Sequence, residues 1–387
     1  MKYMGHKGKL LPILGQILLE ESKNAEIIAD PFCGSGAVSW FLATATSKKV
    51  YAGDLQSFAA VRAAAVVERT SSLDVEQTTN RWFSDAKTLL APITSQFPNA
   101  ENSIRPQISI AEVQLIAKRS RTFCENVLPR IIESEISFPV TLAYGGHYFS
   151  PMQALELDAL RQTLPYEKKA RQACLAALIE AASKCAASPG HTAQPFQPTA
   201  TAALFIAEAW NRNVWNLVRQ SLEAISGTFA KVEGSAVIAD FKDCVTPLRA
   251  GDLVFADPPY SDVHYSRFYH VLETLARGVP VQVSGVGRYP PISERPSSHF
   301  SKKSQSGEAA KKLIDVCSEQ RLNLVLTFPS AKASNGLSAN DFVDLAKGKF
   351  SKITVEEVNS TFSTLGGNGN NRNGRIACPE SIVCFRI

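Results

Sequence analysis

The sequence predicts an α/β fold: a mostly parallel sheet with helices on both faces, interrupted by a mainly helical insert. Three observations carry the prediction. Short apolar runs alternate with helical runs, the pattern of strand–helix–strand units. Two of the apolar runs end in acid-bearing turns, Asp30-Pro31-Phe32-Cys33-Gly34-Ser35-Gly36 and Asp257-Pro258-Pro259-Tyr260. Between these halves, roughly residues 71–234 carry apolar residues at helical spacing.

Seven strands are expected: Glu26–Asp30, Lys49–Gly53, Ser235–Asp240, Asp252–Ala256, Leu322–Phe328, Lys352–Val358 and Ser381–Phe385. Helical runs separate several of them: Gly36–Ala45, Ser57–Glu68, the stretch after Tyr265, Gly307–Glu319 and Asn340–Lys347. Within the insert, Tyr166–Ala187 reads as one helix. Thr199–Ile225 reads as another, with Gly227 as its C-cap. Ala186–Pro198 is rich in Pro, Ser, Thr and Gly and reads as a loop. The domains follow: residues 1–70 and 235–387 form the sheet domain, and 71–234 the helical insert.

Composition excludes several classes. A chain of 387 residues, 45% of them hydrophobic, can bury a sizeable core. Its net charge of +5 is compatible with a polyanionic partner without demanding one. No run of about 18 apolar residues marks a membrane span. Met1–Lys9 is polar and basic, unlike a signal peptide. The eight cysteines form no CxxC pair and no zinc-type cluster, so no metal is expected and reduced thiols in the cytoplasm are. Cys33 reads as a space-filler in its turn.

Asp257-Pro258-Pro259-Tyr260 follows the apolar run Leu253–Ala256. The prolines donate no N–H and fix φ, which stops the strand and stiffens the loop. A carboxylate, free carbonyls and an aromatic ring suit a planar base bearing an amine: acceptors for the NH2 group, a ring to stack on the base. A strand-ending turn with a buried tyrosine is the alternative. In the first turn, Gly34 and Gly36 permit a tight bend and close approach of a ligand to a helix N-terminus. An ordinary strand–helix turn would look the same. Asp54 ends the second strand, where an α/β fold grips ribose hydroxyls; a helix N-cap is its other reading.

With these residues the chain resembles the Dam-like, alpha-class adenine-specific DNA methyltransferases. The opening Lys2-Tyr3-Met4-Gly5-His6-Lys7-Gly8-Lys9 is similar to that family's opening motif. The order of opening motif, glycine turn, ribose acid, long insert and DPPY matches as well. The resemblance covers about residues 1–70 and 235–265. It implies a Rossmann-like seven-stranded methyltransferase sheet in which a final hairpin inserts one antiparallel strand. It implies S-adenosyl-L-methionine as cofactor, held by Tyr3, Lys7, Asp30, Phe32, Gly34, Gly36, Asp54, Asp240, Phe241 and Asp257. It implies methyl transfer to N6 of a flipped-out adenine by Asp257, Pro258, Pro259 and Tyr260. Double-stranded DNA is then the partner, read by the insert, with a cognate restriction or defence nuclease as a further partner. For Asp240 and Phe241 a strand-end turn and a core phenylalanine compete with the cofactor role.

Other features divide similarly. Tyr144-Gly145-Gly146-His147-Tyr148-Phe149 reads as a turn packing aromatics on the core rather than a DNA-contacting loop. Lys118, Arg119, Arg121 and Arg130 form a solvated basic face or a phosphate contact. Arg267 follows the DPPY loop and can reach a phosphate. Phe268 and Tyr269 wall a base pocket or begin a packed helix face. His264 and His270 read as structural. The loops Gly287–Ser306, with Arg288, Arg295, Lys302 and Lys303, and Gly366–Arg375, with Arg372, are linkers or DNA contacts. Three other functions stay open: an N4-cytosine DNA methyltransferase, more often led by serine; a methyltransferase of RNA or protein glutamine, usually led by asparagine; and a catalytically silent DNA-binding module of a defence complex.

Overall fold

The strands form where apolar runs predict them: β1 (Ile27–Asp30), β2 (Lys49–Asp54), β3 (Ser235–Ile238), β4 (Leu253–Ala256), β5 (Asn323–Pro329), β6 (Lys352–Ser363) and β7 (Arg375–Arg386). The computed structural model describes residues 7–96, 108–131, 137–263, 265–363 and 375–387. Tyr3, His264 and the segment 366–374 with Arg372 lie outside the described residues.

The sheet order is β3-β2-β1-β4-β5-β7-β6. The first five strands pair in parallel. β7 runs antiparallel to both β5 and β6, as the resemblance implied. β4 is central, and Leu253, Val254, Phe255 and Ala256 are all buried. A strand covered on both faces reads as a continuous apolar run for this reason. One apolar layer joins Leu14, Leu18, Val38 and Leu42 to the sheet, from helices Leu11–Glu21 and Ala37–Ala45. The other joins Leu313, Ile314 and Phe342, from helices Ser306–Glu319 and Ala339–Ala346.

The described chain divides into two units. The sheet unit comprises residues 7–71, 229–265 and 296–387. The helical unit comprises Ser72–Thr228 and Ser266–Arg295. Residues 266–295, placed with the sheet by the sequence reading, pack with the helices of the insert. Helix His270–Arg277 buries Val271, Leu272 and Leu275 there. Arg161 caps its end, donating to the carbonyls of Leu275 and Ala276 at 2.9 Å each. In the insert, Lys168–Cys185 is a single helix as expected. The expected helix Thr199–Ile225 is instead two, Ala203–Trp210 and Val214–Ser226. Asn213 causes the break: its side chain accepts from the Asn216 N–H at 2.8 Å and starts a new helix.

Tyr144, Tyr148 and Phe149 are fully buried, so the glycine turn between them packs its aromatics on the core. Arg121 belongs to that turn. Its guanidinium donates to the Gly146 carbonyl at 3.3 Å, leaving Lys118 and Arg119 as the exposed cations of their helix. Among the described residues no helix is long and apolar enough to cross a membrane.

Candidate active site

Register brings the DPPY carboxylate to a polar residue of the neighbouring strand. Ala256 of β4 pairs with Leu326 of β5, so the next residues, Asp257 and Thr327, are level. Thr327 Oγ1 donates to Asp257 Oδ1 at 2.9 Å. Lys7 Nζ lies 3.0 Å from the same oxygen. Lys7 also pairs with Glu380 of β7, which stands opposite Pro329 of β5. Lys7 and Glu380 are both buried. Burial works against the Lys7 ammonium, but Asp257 and Glu380 outweigh it and raise its pKa. Asp257 Oδ1 is therefore filled by two donors, while no described group donates to Oδ2.

The loop beyond it is anchored the same way. Asn335 is fully buried. Its Nδ2 donates to the carbonyls of Pro259 at 3.2 Å and Phe300 at 3.1 Å, and its Oδ1 accepts from the Leu337 N–H at 3.1 Å. No described group donates to the Pro258 carbonyl. Two acceptors, Asp257 Oδ2 and the Pro258 carbonyl, are thus left for a ligand. Tyr260 is half-buried, with its ring edge-to-face to Phe328 at 6.2 Å and Lys7 Nζ 6.0 Å from its centroid. Asn335→Leu should lower stability by about 2–4 kcal/mol, because it strands buried polar partners. Chemical denaturation measures that cost. Turnover should fall too, since Pro259 loses its anchor.

The glycine turn sits at the end of β1. Gly34 and Gly36 have φ of +47° and +80°, a conformation that side chains other than glycine rarely adopt. Asp54, at the end of β2, accepts from the Gly34 N–H through Oδ2 at 3.0 Å and from the Gln56 N–H through Oδ1 at 2.9 Å. The next helix, Ser57–Val67, has Gln56 as its N-cap, and Asp54 braces the turn before it. Asp30 is buried and accepts from Ser39 Oγ through Oδ2 at 2.5 Å. Its Oδ1 has no partner. Burial first, then Asp257 and Asp54, push its pKa up to about 7 against the Ser39 hydrogen bond. Burial also pushes the Cys33 thiol up, which makes it a poor nucleophile.

Asp240 caps the short helix Phe241–Val245, accepting from the Lys242 N–H at 3.2 Å. Phe241 is buried against Phe32 and Phe300, with centroids 5.9 and 5.8 Å away. Phe32 is only partly buried. Among the expected residues, the structure joins Lys7 directly to Asp257, and Gly34 to Asp54.

Sequence reasoning missed Thr327, Glu380 and Asn335. Thr327 carried a faint signal, as a polar residue within an apolar strand run, whereas Glu380 lies just before the expected strand Ser381–Phe385. Asn335, in a Ser-Asn-Gly loop, carried none.

A sheet of this order, a glycine turn after β1 and a fixed Asp-Pro-Pro-Tyr loop after β4 are the features expected of a methyltransferase acting on an amine. A family model described as D12 class N6 adenine-specific DNA methyltransferase matches residues 3–123. Over that stretch the chain is similar to DNA adenine-N6 methyltransferases, in line with the Dam-like resemblance of its motifs. The match covers the opening motif, the glycine turn and Asp54 but ends well before Asp257, so the Asp257–Tyr260 loop is an independent observation. A comparison with curated proteins gives no match.

Proposed function

We propose that this methyltransferase binds S-adenosyl-L-methionine at the glycine turn and modifies N6 of an adenine flipped out of duplex DNA. The observation that carries this reading is the pair of vacant acceptors, Asp257 Oδ2 and the Pro258 carbonyl, on a loop held from behind by Thr327, Lys7 and Asn335. An adenine amine has two hydrogens to donate, and its lone pair is delocalised into the ring. Acceptors for both hydrogens favour a pyramidal nitrogen whose lone pair is available for displacement. The Asp257 carboxylate also stabilises the positive charge that grows on nitrogen. Tyr260 offers its ring to the extruded base, offsetting part of an unstacking cost of roughly a few kcal/mol.

The residues of the turn fit the cofactor. S-adenosyl-L-methionine supplies an activated methyl group on a sulfonium. Asp30 Oδ1, buried and unpartnered, suits the ammonium at its methionine end. Gly34 and Gly36 keep the backbone there free of Cβ atoms. Asp54 brings a carboxylate to the end of β2, where an α/β fold grips ribose hydroxyls. Phe32 offers a partly exposed ring. Asp240 and Phe241 support this region from their cap and core positions, and Tyr3 belongs to the same proposal through the opening motif. The helical unit is assigned target recognition. A cognate restriction or defence nuclease would act at the same sequence.

Cofactor binding tests the reading. S-adenosyl-L-methionine should raise the Tm, as a ligand selective for the native state does, and Asp54→Ala should weaken that shift. Affinity by calorimetry should rise as pH increases through about 7, because Asp30 must lose its proton to hold an ammonium. Asp30→Asn should flatten that dependence. Saturating cofactor without a Tm shift or measurable heat would favour the silent DNA-binding module. Nucleoside mass spectrometry of methylated DNA reads the product: N6-methyladenine is expected, and N4-methylcytosine as main product would overturn the adenine assignment.

A further inference from the structure

In the helical unit, Ser284 and Tyr289 form an antiparallel bridge that closes a tight hairpin. Gly285 and Arg288 take φ of +69° and +49° within it. His270 fastens the hairpin to residue 267: its Nδ1 lies 3.0 Å from the Arg267 carbonyl and its Nε2 3.0 Å from the Gly287 carbonyl. The Tyr148 hydroxyl donates to the Gly287 carbonyl at 2.9 Å. On this base the Tyr289 ring carries two guanidiniums, Arg267 at 4.9 Å and Arg295 at 5.4 Å from its centroid. Arg267 Nη2 also donates to the Tyr289 hydroxyl at 3.2 Å, and Arg295 Nε to the Pro290 carbonyl at 2.9 Å.

No described carboxylate pairs with Arg267 or Arg295. Arg288, in the same hairpin, differs: it pairs with Glu125 at 3.3 Å and donates to the Ala143 carbonyl. Two like charges gathered on one ring repel. Partial burial and the Arg267 charge both depress the Arg295 pKa. An anion between the two guanidiniums would relieve that repulsion, and their planar forks match phosphate oxygens. Both side chains remain partly exposed to receive one.

We propose that Arg267 and Arg295, stacked on Tyr289, clamp a phosphodiester of the DNA substrate. The proposal rests on the reading of the chain as a DNA methyltransferase. It predicts which arginines of this segment are felt by DNA and which are not.

The test is the salt dependence of binding to a fluorescein-labelled duplex of mixed sequence, measured by anisotropy. Arg267→Gln and Arg295→Gln should each reduce the slope of log K against log salt by about 1 and weaken binding about tenfold at moderate salt. Arg267→Lys and Arg295→Lys should keep the wild-type slope, and so should Arg288→Gln. Wild-type slopes in both glutamine variants, alongside firm wild-type binding, would overturn the clamp and leave the methyltransferase reading standing. A wild-type protein without affinity for duplex DNA would sink both. Inorganic sulfate bound by calorimetry in an arginine-dependent way, with DNA slopes unchanged, would make this a free-anion site and overturn the DNA claim. Should a glutamine variant melt early, Tyr289→Leu keeps both charges but removes their platform. It should weaken binding, and unaltered affinity would overturn the clamp.

Discussion

Asp257→Ala is expected to cut the rate of methyl transfer by about a hundred- to a thousandfold while leaving the protein folded. The loss follows from the position of the carboxylate. Asp257 Oδ1 is held by Thr327 and Lys7, so the side chain is fixed with Oδ2 turned to whatever enters the loop. Alanine removes the fixed acceptor and the negative charge together. Electrostatic groups aimed at developing charge are commonly worth about 3–4 kcal/mol each, the size of effect expected here. The fold should survive because Asp257 lies beyond the end of β4 with its side chain 19% exposed. Lys7 would keep Glu380 as its counter-ion. Duplex binding should therefore persist. Asp257→Asn should fall between, since an amide oxygen accepts a hydrogen bond without supplying the charge. Near-normal turnover in the purified alanine variant would move the amine acceptor elsewhere.

The parts of this site legible in the sequence are those that lie along the chain. Asp257-Pro258-Pro259-Tyr260 announces itself because two prolines end an apolar run, and the Gly34–Gly36 turn because it joins a strand to a helix. Strand positions were legible for the same reason: Ile27–Ala29 and Leu253–Ala256 are apolar runs. What the chain does not announce is lateral. Thr327 meets Asp257 only because β5 lies beside β4 in matching register. Glu380 meets Lys7 only because β7 inserts next to β5 and runs antiparallel to it. Each contact depends on sheet order, which apolar periodicity does not encode. The break at Asn213 was missed for a different reason: apolar spacing continues across it, and the cap that interrupts the helix is one asparagine side chain. The segment 266–295 was assigned by its place after the tetrapeptide, whereas its buried apolar face and the Arg161 cap put it with the helical unit.

Lys7→Met should convert a site active at neutral pH into one that needs alkaline conditions. In the wild type, the Lys7 ammonium touches both Asp257 and Glu380 and keeps the two carboxylates compatible. Without it they repel one another in a poorly hydrated pocket, and a proton is the available remedy. Burial and Asp257 already raise the Glu380 pKa, with Lys7 opposing them. Removing that opposition raises the titration of the pair. A protonated pair no longer presents a full negative charge to the amine. The kcat at neutral pH should drop by about ten- to a hundredfold, then recover as pH rises and the pair ionises. Stability should move the opposite way. Carboxylates whose pKa is higher folded than unfolded stabilise the protein at low pH, and that contribution is lost as pH rises through the folded value. The variant should therefore lose Tm over the same range in which it regains turnover. Adding Glu380→Gln removes the repulsion and should return the acid limb toward the wild-type position, a coupling that a double-mutant cycle measures directly. If Lys7 acted instead only by binding cofactor, Lys7→Met would raise the KM for S-adenosyl-L-methionine, leave the pH profile in place and gain nothing from the second substitution.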